Sequence, residues 1–147
     1  SIDRRMMWQA AWKMFISCPW IGVGLGTFMF NFKRFATDKY PFSIPYAHNC
    51  YLQMASEIGI FGLLAFLLIL ILFFYHGIKI LNTRQRTFCW YVLLGSLAAI
   101  LSYSVQMFVD TSFYSLDLGT LFWLILGLGT AVIKILESEP EQNITTA

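Results

Sequence analysis

Hydrophobic positions along this chain gather into three long runs, residues 58–75, 88–109 and 118–136, separated by short polar connections. Each run is close to the ~20 residues that cross a ~30 Å hydrocarbon core as a helix, so each predicts a membrane span. The first 57 residues mix apolar, aromatic and charged positions instead. Residues 3–16 predict a short amphipathic helix that Asp3 can cap, with Trp8, Ala11, Trp12 and Phe15 on one apolar face. Arg4, Gln9 and Lys13 lie off that stripe. Its two Trp suit a membrane interface, and packing on another membrane helix fits as well. Pro19 ends this helix.

Gly22, Gly24 and Gly26 follow at once. No strand–helix frame or phosphate-binding lysine accompanies them, so they predict a tight turn or re-entrant backbone against the membrane surface, not a nucleotide loop. Residues 28–35 predict another short helix. Residues 37–46, with Pro41 and Pro45, predict an irregular loop. From about Pro45 the pattern predicts unbroken helix through Tyr75. The pairs Gly59 and Gly62, Gly95 and Ala99, and Gly127 and Ala131 are expected at close helix contacts.

The fold class expected is therefore all-α, a polytopic membrane protein with three transmembrane helices preceded by an external loop carrying amphipathic helices. Residues 1–57 form the external region, 58–136 the spans (about 58–76, 88–109 and 118–136), and 137–147 a polar tail. The chain starts at Ser1 and three spans make a thin bundle, so it is expected to be the C-terminal portion of a larger protein. Composition agrees with a membrane setting: 58% of residues are hydrophobic and only 12% charged, far from a soluble domain.

Charge placement sets the orientation. The connection at 79–86 holds Lys79, Arg84 and Arg86 without an acid, whereas Asp110 and Asp117 flank the next one without a base. Lys and Arg in short loops stay inside, so 79–86 and the tail are expected in the cytoplasm and 110–117 outside. Residues 1–57 then lie outside despite Arg4, Arg5, Lys13, Lys33, Arg34 and Lys39, since long segments translocate regardless of charge. A basic external region points to an anionic ligand. The spacing of Cys18 and Cys50 specifies no disulfide, and Cys89 reads as a small apolar residue of the second span. With no CxxC and no Cys/His cluster, no metal or other cofactor is expected, nor a nucleic-acid partner.

The polar residues His48, Asn49, Gln53 and Glu57 run straight into the first span. Polar groups at the mouth of a span are costly and thereby functional candidates. His48 is the sole external His; it can serve as a general base at neutral pH or merely cap and hydrogen-bond. On a straight helix Asn49, Gln53 and Glu57 share a face, while His48 and Glu57 point apart, about 13.5 Å along the axis. A local His48–Glu57 dyad is thereby disfavoured. Glu57 is expected to pair with a basic or polar group on another helix, and His48 to face the loop cavity. Arg4 and Arg5 suit phosphate oxygens, whether of a substrate or of lipid headgroups.

Four motifs in series, Arg4-x-x-x-Trp8, Pro19-Trp-Ile-Gly-Val-Gly-Leu-Gly26 with Phe28, His48-Asn49-x-Tyr51-Leu52, and Glu57-x-Gly59 with Phe61-Gly-Leu63, resemble the C-terminal half of the O-antigen ligase/polymerase family of bacterial envelope glycosyltransferases. The likeness covers about residues 3–66; Asp110 and the Gly-rich last span are similar too. The resemblance implies a multi-pass protein of the bacterial inner membrane, with residues 1–57 on the outer face. It implies transfer of glycan from an undecaprenyl-pyrophosphate-linked donor to a hydroxyl of a glycan, lipid A core or protein acceptor, without metal or nucleotide sugar. His48 would be the general base and Arg4 would hold the donor pyrophosphate and stabilise the leaving group. Arg5, Asn49 and Glu57 would bind or orient substrate. A further family arginine would lie upstream, so this chain alone would be inactive. The alternative is a non-catalytic transport or flippase subunit handling the same lipid-linked sugars.

Overall fold

The computed structural model describes residues 2–36 and 46–139. The described residues form helices α1 (Ile2–Ser17), α2 (Phe28–Phe35), α3 (Cys50–Thr83), α4 (Phe88–Gln106) and α5 (Leu116–Ser138), with a 3₁₀ turn at Ser112–Tyr114 and no strand. Helices α3, α4 and α5 are each long and apolar enough to cross a membrane, which bears out the all-α, three-span reading. Most of the irregular loop expected at 37–46 lies outside the described residues.

The three spans pack around Leu70, Phe73, Leu93, Leu97, Phe122 and Ile133. Leu64, Leu68, Ile71, Leu101, Leu121 and Leu124 stay exposed, as a lipid-facing surface requires. Close helix contact is made through other glycines than the small-residue spacing indicated. A Cβ on Gly77 would press into Leu97, and one on Gly129 into Phe73 and Ser96, but one on Gly95 or Gly127 would meet nothing within 4 Å. The α4–α5 contact uses the opposite faces of both helices. At the end remote from α1, the Arg84 guanidinium donates to the carbonyls of Glu137 and Glu139, at 3.3 and 2.8 Å, and so caps α5. His76 Nδ1 lies 3.9 Å from Glu137 Oε1 at the same end.

At the other end α1 and α2 form a cap. The buried face of α1 is Met7, Ala10, Ala11 and Met14, packed on Phe28, Phe32 and Ala47. It is rotated from the expected stripe: Trp8 and Trp12 are 42% and 54% exposed. Two alanines let α1 approach α3 closely, which the larger indoles would prevent, so both Trp turn to the periphery. Helix α1 begins at Ile2, placing Asp3 within the first turn instead of before it.

Helix α3 also differs from expectation. Residues 46–49 are not helical, and the helix starts at Cys50. It is then broken at Gly59, whose φ of 68° and ψ of −172° only glycine adopts readily. Unbroken, a helix would give the Ser56 carbonyl to the N–H of Ile60. Here Ile60 N–H donates to the Pro19 carbonyl (2.8 Å), and the Ser56 and Glu57 carbonyls accept from Val23 and Gly24 N–H (2.9 Å each). The glycine loop thus takes over the backbone bonds that the break releases, as a buried chain demands. The 60–83 portion still rises about 36 Å, enough to span.

The two chains cross backbone to backbone. A Cβ on Gly22 would collide with Glu57 and Ile58, and one on Gly59 with Trp20 and Ile21. Trp20 stacks on Phe61 with ring centroids 5.5 Å apart, so the loop lies against the start of the span. Gly59→Ala is expected to cost about 2 kcal/mol or more, from the left-handed backbone and the collision together. Gly95→Ala should leave stability unchanged or slightly higher. Thermal unfolding of the two purified variants in one detergent checks both.

Candidate functional site

His48 sits in a seat clamped on both sides. Before it, Ala47 accepts from the Trp8 indole N–H at 2.8 Å and donates to Gln53 Oε1 at 3.2 Å. After it, Asn49 caps α3, its Oδ1 accepting from Leu52 N–H at 2.9 Å, and Cys50 N–H donates to the Met107 carbonyl at 2.8 Å. Between these clamps His48 adopts φ 48°, the only positive φ at a described residue other than glycine. Such backbone is disfavoured for a residue with a Cβ and persists only where the surroundings over-determine it, commonly at functional sites.

Strain here aims the imidazole. Nδ1 lies 3.8 Å from Oδ1 of Asp110, in the connection between α4 and α5, and both side chains are partly exposed. That is ion-pair range and just beyond a hydrogen bond, a separation that catalytic pairs close once substrate is bound. Asp110 is itself fixed: its Oδ1 accepts Thr111 N–H at 2.7 Å and its carbonyl accepts the Cys50 thiol at 3.1 Å. A carboxylate at Nδ1 favours the tautomer with the proton there, leaving Nε2 as the basic nitrogen. Cys18 and Cys50 are both free thiols.

Glu57 stands apart from this pair. It is 1% exposed, and its two oxygens accept from Gly26 N–H (Oε2, 3.0 Å) and Phe28 N–H (Oε1, 2.9 Å). The carboxylate therefore closes the glycine loop and sits at the N-terminus of α2, while Lys33 and Arg34 occupy its last turn. Both ends suit the helix dipole. The partner sought for Glu57 on another helix is thus backbone, not a basic side chain. The Tyr114 hydroxyl faces Glu57 without completing a hydrogen bond; burial first, and the carboxylate second, push its pKa well above the usual tyrosine range.

Arg4 and Arg5 are exposed in the first turns of α1 and form no ion pair with any described residue. Arg4 precedes Trp8 by one helical turn, roughly 6 Å of rise, on the same side of α1. Trp8 bonds the residue next to His48. Asn49 acts through its cap, and Gln53, 2% exposed, by holding Ala47. Lys33 and Arg34 are exposed, and Lys39 lies outside the described residues. Sequence reasoning expected Asp110 and His48 on one side of the membrane but did not pair them; that expected orientation was the usable signal.

Residues 1–67 match the sequence profile of the O-antigen ligase family, Wzy_C, and the motif resemblance is borne out over that stretch. The match takes in α1, the glycine loop, α2, His48, Glu57 and the first part of α3; Asp110, α4 and α5 lie beyond it. No curated protein and no solved structure matches the chain.

Replacing Glu57 by Ala leaves the buried Phe28 amide and the Gly26 amide without their acceptors, and Gln sets an NH₂ group against one of them. Each is expected to destabilise by about 1–3 kcal/mol. Limited proteolysis should then cut first within residues 18–28. Cleavage and melting unchanged from wild type would show that the carboxylate does not hold the loop.

Proposed function

We propose that this chain supplies the outer catalytic region and last spans of an O-antigen ligase- or polymerase-type glycosyltransferase of the bacterial inner membrane. Residues 1–57 lie on its outer face. The reaction moves a glycan from an undecaprenyl-pyrophosphate-linked donor to an acceptor hydroxyl. The observation that carries this reading is His48, held in a strained backbone with Nδ1 toward Asp110, inside the segment that matches the family.

The chemistry follows from that geometry. Nε2 removes the proton of an acceptor hydroxyl as the oxygen attacks the anomeric carbon, and the bond from that carbon to the pyrophosphate oxygen breaks. Asp110 steadies the imidazolium formed. Negative charge grows on the departing pyrophosphate, and Arg4, with Arg5 beside it, offers charge-assisted donors to it. The position of Arg4 one turn from Trp8 supports this role. Asn49 and Glu57 serve by position, fixing the start of α3 and the glycine loop against which α1 packs.

Because His48 occupies the left-handed region, Asn is the informative replacement: it tolerates that backbone better than Ala and is no base. In the full-length protein with lipid-linked donor and acceptor, His48→Asn should lower transfer by about 10²-fold or more. Arg4→Lys should also impair it, since a point charge does not reproduce the guanidinium fork. Transfer near the wild-type rate in His48→Asn would overturn the assignment. Donor relocated but never consumed would favour transport instead.

A further inference from the structure

Beside the His48–Asp110 pair the outer connection opens a cleft of about 230 Å³, lined by Tyr46, Asp110, Thr111, Ser112, Tyr114 and Ser115. Each of these six side chains carries an oxygen. The groove next to it, about 390 Å³, shares Tyr114 but is otherwise lined by residues such as Leu25, Ile58, Ile69 and Trp123. One surface therefore suits hydrocarbon and the other suits a ligand rich in hydroxyls.

We propose that the cleft is the subsite for the acceptor's terminal sugar ring, the ring whose hydroxyl is presented to His48. This rests on the glycosyl-transfer reading above. Three features argue for it. Asp110 Oδ1 is occupied by Thr111 N–H and faces His48, whereas Oδ2 takes no hydrogen bond from a described residue and can accept a sugar hydroxyl. Thr111, 9% exposed, lines the cleft and its hydroxyl forms no hydrogen bond with a described residue, so a ligand hydroxyl would satisfy it. The volume lies below the ~300–1,000 Å³ of pockets for drug-sized ligands, which fits one ring rather than an oligosaccharide.

Tyr46, 38% exposed, offers an aromatic face at the rim. A site built to bond hydroxyls rejects analogues that lack them, because its own polar groups are then left unpaired. The outer connection between α4 and α5 would thereby set acceptor preference, while α1 handles the donor.

Steady-state transfer by the purified full-length protein tests this, with donor and acceptor varied separately. Thr111→Val, through the loss of one hydrogen bond, and Tyr46→Ala, through the loss of the aromatic contact, should each raise the acceptor KM about tenfold and leave the donor KM unchanged. Tyr46→Phe should recover most of the Tyr46→Ala loss. Saturation-transfer NMR on the wild-type protein should mark the protons of the acceptor's terminal ring above those further along. Unchanged acceptor KM, a rise in donor KM instead, or uniform saturation along the acceptor would overturn the cleft assignment. If those results come with an inactive His48→Asn variant, the transfer reading survives and the subsite alone falls. If the wild-type protein consumes no donor, both fall.

Discussion

A helix cannot be cut at the edge of a membrane unless something else accepts and donates in place of its missing bonds. In this protein that something is the loop carrying Gly22, Gly24 and Gly26. It lends N–H groups to the Ser56 and Glu57 carbonyls and a carbonyl to Ile60, and Glu57 returns two charge-assisted bonds to the loop through its side chain. Gly22 and Gly59 make this possible by letting two backbones touch where any side chain would intrude. The exchange is reciprocal. Without the loop the break in α3 is unsatisfied, and without the break the loop has nowhere to bind.

The remainder of that end of the molecule follows from the crossing. It fixes the start of α2, and α1 packs on α2 and on the first turns of α3 through Met7, Ala10, Ala11 and Met14. Seated there, α1 delivers the Trp8 indole to Ala47, one of the clamps that force His48 into left-handed backbone. Asp110 arrives separately, over two spans, and is anchored through Cys50 and Thr111. The glycine crossing and the histidine are thus mechanically linked although they share no direct contact. This accounts for two kinds of polar residue in one short stretch: Glu57 holds the frame, and His48 uses it.

Much of this was legible in the chain. Three apolar runs of membrane length are unambiguous because composition alone sets them, and the loop glycines announced a turn or re-entrant backbone. His48 and Glu57 do stand apart, although His48 precedes the helix whose geometry was used to separate them. What escaped depended on groups that sequence does not display. The break at Gly59 looked like ordinary helix, since a lone glycine in an apolar run is usually tolerated there, and only the incoming loop makes breaking it favourable. The rotation of α1 depended on where α3 stood, not on its own periodicity. The pairing of His48 with Asp110 joins residues separated by two spans, a distance no local pattern crosses. Glu57 was expected to find a basic or polar group on another helix and found backbone amides, which every sequence contains and none advertises.

The central claim is that the loop and the broken helix share one set of backbone bonds, locked by Glu57. Amide hydrogen exchange on the purified protein tests this most directly, because it reports each N–H separately. The account predicts slow exchange at Val23, Gly24, Gly26, Phe28 and Ile60 in the wild type. It predicts that all five speed up together in Glu57→Ala while the amides of α4 and α5 stay protected. Exchange at those five positions as fast as in an unstructured peptide, already in the wild type, would contradict it.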